Sequence, residues 1–140
     1  MPQTITRGIK TMVDEANATI ETLSTADAIA LHQSGADDVV IVDIRDPREI
    51  ERDGKIPGSF SCTRGMLEFW IDPQSPYAKP IFQQDKKFVF YCAGGLRSAL
   101  AAKTAYDMGL KPVAHIDGGF GAWRSAGGPV EAWTPKAPKG

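Results

Sequence analysis

The sequence predicts a mixed α/β fold in which a mostly parallel sheet is covered on both faces by helices. Two observations carry this reading. Val39-Val-Ile-Val42, Phe88-Val-Phe-Tyr91 and Val113-Ala-His-Ile116 are short β-branched or aromatic runs of the kind that form fully buried strands. Helical stretches with their own start and stop signals lie between these runs, and such alternation implies parallel crossovers. A chain of 140 residues with 42% apolar side chains is about one domain by length, with enough core to fold without a metal or disulfide staple.

In chain order, Ile9, Met12, Val13 and Ala16 mark a weakly amphipathic helix within the first twenty residues. Thr25 to Gln33 follows Ser24, an N-cap residue type, with Asp27 three positions on in a loose capping box. The strand Val39–Val42 comes next. Arg64 to Trp70 reads as a short helix, and Ile71 to Pro80 as a surface excursion, because Asp72-Pro73 and Ser75-Pro76 are turn signals. After the strand Phe88–Tyr91, the alanine-rich stretch Arg97 to Met108 is a helix closed by Gly109. The strand Val113–Ile116 is opened by Pro112 and closed by Asp117-Gly-Gly119, and a last helix, Gly119 to Ala126, stops at Gly127-Gly128. The final eight residues, with Pro135 and Pro138, are expected to be a frayed tail. No internal repeat or low-complexity block interrupts the chain.

Composition narrows the function. Sixteen basic against seventeen acidic residues give a net charge of −1, which argues against a nucleic-acid partner held by many phosphate contacts. Two cysteines, Cys62 and Cys92, are too few for a disulfide scaffold, and His32 and His115 are too far apart in sequence to suggest a metal site. The first ten residues hold no apolar run of the kind a secretory leader carries. The longest apolar run, Phe88 to Ala93, is six residues and too short to span a bilayer. These features lead us to expect a small soluble cytoplasmic domain whose chemistry comes from side chains or a bound small molecule.

The informative stretch is Tyr91-Cys92-Ala-Gly-Gly-Leu-Arg-Ser98, where a buried strand runs into a cysteine, two glycines and an arginine opening a helix. Ligands of open parallel sheets sit beyond the carboxyl ends of strands, and Cys92 falls there. Gly94 and Gly95 can take positive φ, so that successive N–H groups turn inward. The helix start adds unpaired N–H groups and Arg97 adds a full charge, which together favour a thiolate and concentrate positive potential beside it. This context marks Cys92 as a nucleophile rather than a small buried hydrophobe. His32 falls on a helix and His115 in a strand, where each reads as a packed residue. Without a clear base, the loop itself must generate the thiolate. The attacked group is then an oxyanion or a sulfur. Only four residues, Ala93 to Leu96, separate Cys92 from Arg97. That loop is one residue shorter than those of tyrosine-phosphatase type, and its smaller ring suits one extra sulfur better than a tetrahedral phosphate.

Four ordered motifs resemble the signatures of single-domain rhodaneses, the sulfurtransferases that carry sulfane sulfur as a cysteine persulfide. They are Val42-Asp-Ile-Arg-Asp-Pro-Arg-Glu49, Gly54-Lys-Ile-Pro-Gly58, Cys92-Ala-Gly-Gly-Leu-Arg-Ser98, and Gly118-Gly-Phe-Gly-Ala-Trp123 followed by Gly127-Gly-Pro-Val130. Lys55 stands where the family usually has histidine, a position that is generally structural. The resemblance implies a three-layer α/β/α fold around a mostly parallel five-stranded sheet. It places the domain at residues 20–131, between an N-terminal extension at 1–19 and a tail at 132–140.

The resemblance also implies a ping-pong sulfurtransferase of the thiosulfate type. Cys92 would take sulfur from a donor such as thiosulfate and yield it to cyanide, glutathione, another thiol or a protein acceptor. No cofactor, metal, nucleic acid or membrane is implied. Ala93, Gly94, Gly95, Leu96, Arg97 and Ser98 would form the substrate cradle. Arg97 either binds the donor's sulfonate or anchors the loop through a carboxylate. From its own position, Arg64 is either a second anion contact or a solvated surface arginine, with Glu68 spaced to pair with it. Asp43 and Arg45 are expected to brace the loops as a buried pair. Phe69, Trp70 and Trp123 read as core aromatics, and Cys62 as a spectator. The alternatives are a non-catalytic rhodanese-like module for sulfide sensing or protein interaction, and phosphate-ester or arsenate chemistry on the related longer loop.

Overall fold

The computed structural model describes residues 2–134. Its elements are α1 (Ile9–Thr19), β1 (Glu21–Leu23), α2 (Thr25–Gln33), β2 (Val39–Asp43), α3 (Pro47–Asp53), β3 (Phe60–Ser61), a 3₁₀ turn at Arg64–Met66, α4 (Leu67–Ile71), a 3₁₀ turn at Pro80–Gln83, β4 (Lys87–Tyr91), α5 (Leu96–Met108), β5 (Val113–Ile116) and α6 (Gly119–Ser125). The five strands form one sheet in the order β1-β5-β4-β2-β3, and every neighbouring pair is parallel. Most of the expected tail, residues 135–140, lies outside the described residues.

Local signals set several helix ends. The Ser24 side chain accepts a hydrogen bond from the Asp27 N–H at 3.1 Å and starts α2. α5 ends at Gly109, whose φ of 107° is left-handed. α3 was not anticipated, although its signals are all local. Asp46 accepts from the Arg48 N–H at 2.8 Å, Glu49 accepts from the Asp46 N–H at 3.0 Å, and Pro47 occupies the first turn. β1 and β3 also escaped the sequence reading. They are three and two residues long, and only pairing with β5 and β2 makes them strands.

Apolar packing covers both faces of the sheet. On one face, Phe88, Phe90 and Val42 pack with Leu67 and Ile71 of α4 and with Ala101, Ala102 and Ala105 of α5. On the other, Val89, Tyr91, Ala114 and Ile116 pack with Ala28 of α2 and with Phe120 and Trp123 of α6. Val13 and Ala16 of α1 close on Ala99 of α5, so the N-terminal helix adds a further packed element to that helix. Trp123 is fully buried and its indole N–H donates to the Pro129 carbonyl at 2.7 Å. Phe69, by contrast, is exposed and packs edge-on to the exposed Tyr77 at 6.3 Å, which removes it from the expected core.

The β2 chain continues outward through β3, whereas β4 leads through α5 to β5 on the opposite side. The sheet order therefore reverses between β4 and β2, and the crevice at their carboxyl ends is where such sheets take ligands. The start of α6 locks this crevice from behind. Phe120 N–H donates to the Cys92 carbonyl at 2.8 Å and Gly121 N–H to the Ala93 carbonyl at 3.0 Å.

Gly119 makes this approach possible: its φ is 60°, and a Cβ there would sit 2.5 Å from the Cys92 oxygen and 2.7 Å from the Ala93 carbonyl atoms. Gly119→Ala is expected to cost roughly 3 kcal/mol, through left-handed strain and displacement of the loop. Urea unfolding of the two proteins measures this, and an unchanged midpoint would refute the close-approach account.

Candidate active site

Cys92 leaves β4 at the crevice, and its residue surface is only 1% exposed. Its sulfur accepts from the Gly95 N–H at 3.1 Å and from the Ser98 N–H at 3.3 Å, and lies 3.6 Å from the Ser98 hydroxyl. Gly95 makes the turn with a φ of 103°; a Cβ there would stand 3.2 Å from the Gly118 nitrogen. Gly94 does not share this role, since its φ is not positive. Of the loop's backbone donors, those of Gly95 and Ser98 bond the sulfur, while Ala93, Gly94, Leu96 and Arg97 lie at the surface.

Arg97 is committed to a carboxylate. Its guanidinium grips Glu49 of α3 through two bonds, at 2.8 and 2.9 Å. This pairing holds the Glu49 carboxyl below its ordinary range, chiefly through the Arg97 hydrogen bond and against the opposing effect of burial. Sequence reasoning missed Glu49 as a site residue. Its capping-box position at the end of the first motif was the available signal, but only the fold carries it across to α5. Positive potential is accordingly balanced beside Cys92 rather than left free.

Asp43 and Arg45 form a buried pair beneath the crevice. The Arg45 Nη2 donates to Asp43 at 2.6 Å and to the Gly54 carbonyl at 2.8 Å, while its Nε donates to Asp43 at 3.0 Å. The guanidinium lies 4.4 Å from the Phe120 ring centroid, tying β2 to α6. Arg64 pairs with Glu68 at 2.8 Å and donates to Thr104 at 3.2 Å. It shares with Arg97 a groove of about 280 Å³ between α1 and α5. Lys55 donates to the Ser59 carbonyl at 3.0 Å and bridges to Glu131, a structural use of that position. Cys62 is buried elsewhere in the core, and burial pushes its thiol up to about 12.

His115 is packed in β5, as expected, and both of its ring nitrogens have partners. Its Nδ1 lies 3.0 Å from the Ser98 hydroxyl, which in turn meets Cys92, and its Nε2 lies 2.7 Å from Asn17 Oδ1 of α1. A polar ring inside an otherwise apolar buried strand was the only sequence signal. Among the described residues, no group of three potential metal-ligating side chains occurs, and no helix is long and apolar enough to cross a membrane.

Glu49→Gln keeps the helix cap but weakens the Arg97 clamp, at an expected cost of about 1 kcal/mol after allowing for Arg97's exposure to solvent. Because folding lowers the carboxyl's proton affinity, the wild-type advantage is full above the ordinary value of 4.5 and fades as pH falls through the lowered one. Melting temperatures of both proteins across acidic pH check this. A gap that persists unchanged at the acid end would contradict it.

Comparison with known proteins converges on one family. The rhodanese-like domain model matches residues 25–126. A mouse protein, thiosulfate sulfurtransferase/rhodanese-like domain-containing protein 3, is 30% identical over 91 residues; the match covers 61% of this chain and 58% of the mouse protein. A sulfurtransferase of Allochromatium vinosum is 32% identical over 108 residues, covering 76% of this chain and 92% of its own. The solved structure of a Rhodopseudomonas palustris protein of unknown function, called a possible tyrosine phosphatase, is 91% identical with a TM-score of 0.92, covering 94% of this chain and 99% of that one. The family match begins just after β1 and ends just past α6, so it takes in both faces of the sheet and the Cys92 loop while leaving α1 outside. The chain belongs to the rhodanese-like domain family.

Proposed function

We propose that the protein is a sulfurtransferase that carries sulfane sulfur as a persulfide on Cys92. The observation that carries this reading is the Cys92 sulfur at the end of β4, with the Gly95 and Ser98 N–H groups aimed at it. Donors fixed before reaction stabilise an anionic sulfur without reorganising. With thiosulfate, the Cys92 thiolate attacks the outer sulfur. The sulfur–sulfur bond of the donor breaks and its electron pair leaves with sulfite. Cys92 then bears a terminal persulfide anion. Cyanide attacks that outer sulfur, thiocyanate departs, and the Cys92 thiolate is restored. Glutathione, another thiol or a protein acceptor would enter at the same step. This is covalent catalysis in two half-reactions, and the carrier is the protein's own sulfur, with no cofactor.

Arg97, held by Glu49, anchors the loop, while Arg64 and Arg97 together make the adjoining groove a place to receive the donor's sulfonate. Asp43 and Arg45 support the crevice from below. Both cysteines are free thiols, which suits a reducing compartment such as the cytoplasm.

Phosphatase chemistry is the competing reading, raised by the description of the Rhodopseudomonas palustris neighbour. The four-residue spacing between Cys92 and Arg97 weighs against it, since a shorter ring leaves less room for a tetrahedral phosphate. The presence of Cys92, Gly95 and Arg97 weighs against a non-catalytic module.

Protein incubated with thiosulfate is expected to gain the mass of one sulfur atom on Cys92 and to release thiocyanate when cyanide is added. Cys92→Ser should lose both, whereas Cys62→Ser should keep both. A panel of donors that leaves the wild-type mass unchanged, or steady turnover of an aryl phosphate, would sink the sulfurtransferase reading.

A further inference from the structure

Cys92, Ser98, His115 and Asn17 form one continuous line of polar contacts. The Cys92 sulfur is 3.6 Å from Ser98 Oγ, Ser98 Oγ is 3.0 Å from His115 Nδ1, and His115 Nε2 is 2.7 Å from Asn17 Oδ1. Cys92, Ser98 and His115 are at most 2% exposed, so their contacts are shielded from bulk water. Thr22 Oγ1 lies 3.3 Å from both His115 Nε2 and Asn17 Oδ1 and closes the outer end.

Protons along this line are constrained by what each atom can do. A carbonyl oxygen of asparagine only accepts, so Asn17 Oδ1 places the ring proton on Nε2. Nδ1 is then left as an acceptor facing the Ser98 hydroxyl. Ser98 Oγ lies 3.0 Å from Nδ1 and 3.3 Å from the Gly95 carbonyl; with its one proton on the shorter contact, to Nδ1, it turns a lone pair toward the Cys92 thiol. This is the logic of a nucleophile, a base and a group that orients the base, with a serine inserted between the first two.

We propose that His115 is the base that deprotonates Cys92 through Ser98, with Asn17 as the positioning residue that fixes its tautomer. The Sγ–H bond breaks as a new bond forms between that proton and Ser98 Oγ. The original Ser98 proton passes to His115 Nδ1. The products are a thiolate, an intact serine hydroxyl and an imidazolium; nothing is oxidised or reduced. The thiolate accepts the Gly95 and Ser98 N–H bonds already in place. When the thiol reforms, the proton returns by the same path.

The surroundings suit a base. Burial holds His115 below its ordinary value of 6.5, so the free ring is neutral and able to accept at neutral pH. Asp117, just beyond β5, opposes that shift and favours the imidazolium once formed. Around the ring, α1, β1 and α5 present the neutral Asn17, Thr22 and Ser98, and Cys92 lies beyond Ser98 at the end of β4. Asn17 lies outside the region matched by the family model, so α1 has a chemical role beyond its packing on α5.

This inference rests on the reading of Cys92 as the sulfur carrier, yet its test needs no sulfur transfer. The pH dependence of Cys92 alkylation by iodoacetamide, with the labelled peptide identified by mass, follows the thiolate directly. His115→Gln is expected to slow alkylation roughly tenfold near pH 6.5 and to match wild type near pH 10, where solvent hydroxide takes the proton unaided. Asn17→Asp alters an exposed side chain and puts a charge on Nε2–H. It should move the profile the other way, raising the rate near pH 6.5 by about threefold. A His115→Gln profile that superimposes on wild type, or is lowered equally at every pH, would overturn the relay. So would an Asn17→Asp profile that is unmoved or moves with His115→Gln, and this variant keeps the test decisive if the core substitution fails to fold. Opposed profiles in a protein that never gains sulfur would uphold the relay and reject the sulfur carrier; unmoved profiles in a protein that does gain sulfur would do the reverse.

Discussion

The carbonyls of Cys92 and Ala93 accept hydrogen bonds from Phe120 and Gly121 at the start of α6, and the rest of the site depends on that grip. It fixes the chain just after β4, where a buried strand would otherwise end in a mobile turn. The far end of the loop is fixed by the Arg97–Glu49 clamp. Between these anchors, the left-handed Gly95 aims its own N–H at the sulfur and delivers Ser98 to the first turn of α5. Gly119 permits the approach because a side chain there would strike the Cys92 and Ala93 carbonyls, while one at Gly118 would strike Ala122 within α6. The terminal glycine signature thus acts on the Cys92 loop, although it is far from Cys92 in sequence.

The charges around the crevice form a set of local pairs. Arg45 with Asp43 is buried and ties β2 to Gly54 and the Phe120 ring, whereas Arg97 with Glu49 and Arg64 with Glu68 lie closer to solvent. A buried pair is weak evidence of net stability, since desolvation offsets most of its attraction. Its use here is geometric. The net charge of −1 reflects this pairing: cations at the site come with carboxylates rather than forming an open basic patch. Under the proposed function, a donor's sulfonate in the groove of Arg64 and Arg97 would share or displace these existing partners.

The polar line through Ser98 and His115 connects this loop to α1, which packs on α5 through Val13, Ala16 and Ala99. The same helix contact that buries apolar surface also brings Asn17 to the imidazole. Packing and proton placement are consequently coupled, because a shift of α1 would loosen both.

Local chemistry made much of this protein legible in its sequence. The strands around Val39, Phe88 and Val113, the capped start of α2 and the glycine end of α5 depend on neighbours a few residues away. So do the place of Cys92 at a strand end and the spacing of Arg64 to Glu68. β1 and β3 were hidden because two or three residues hold no period and become strands only beside β5 and β2. The fold alone chose Glu49 as Arg97's partner and placed Asn17 and Ser98 at opposite ends of the His115 ring, since hydrogen bonds between side chains far apart in sequence leave no periodic trace. Sequence by itself determined that Cys92 would stand at the end of a buried strand. Tertiary structure decided what surrounds it, because only the packed sheet brings α1, α3, α5 and α6 to the same end of β4.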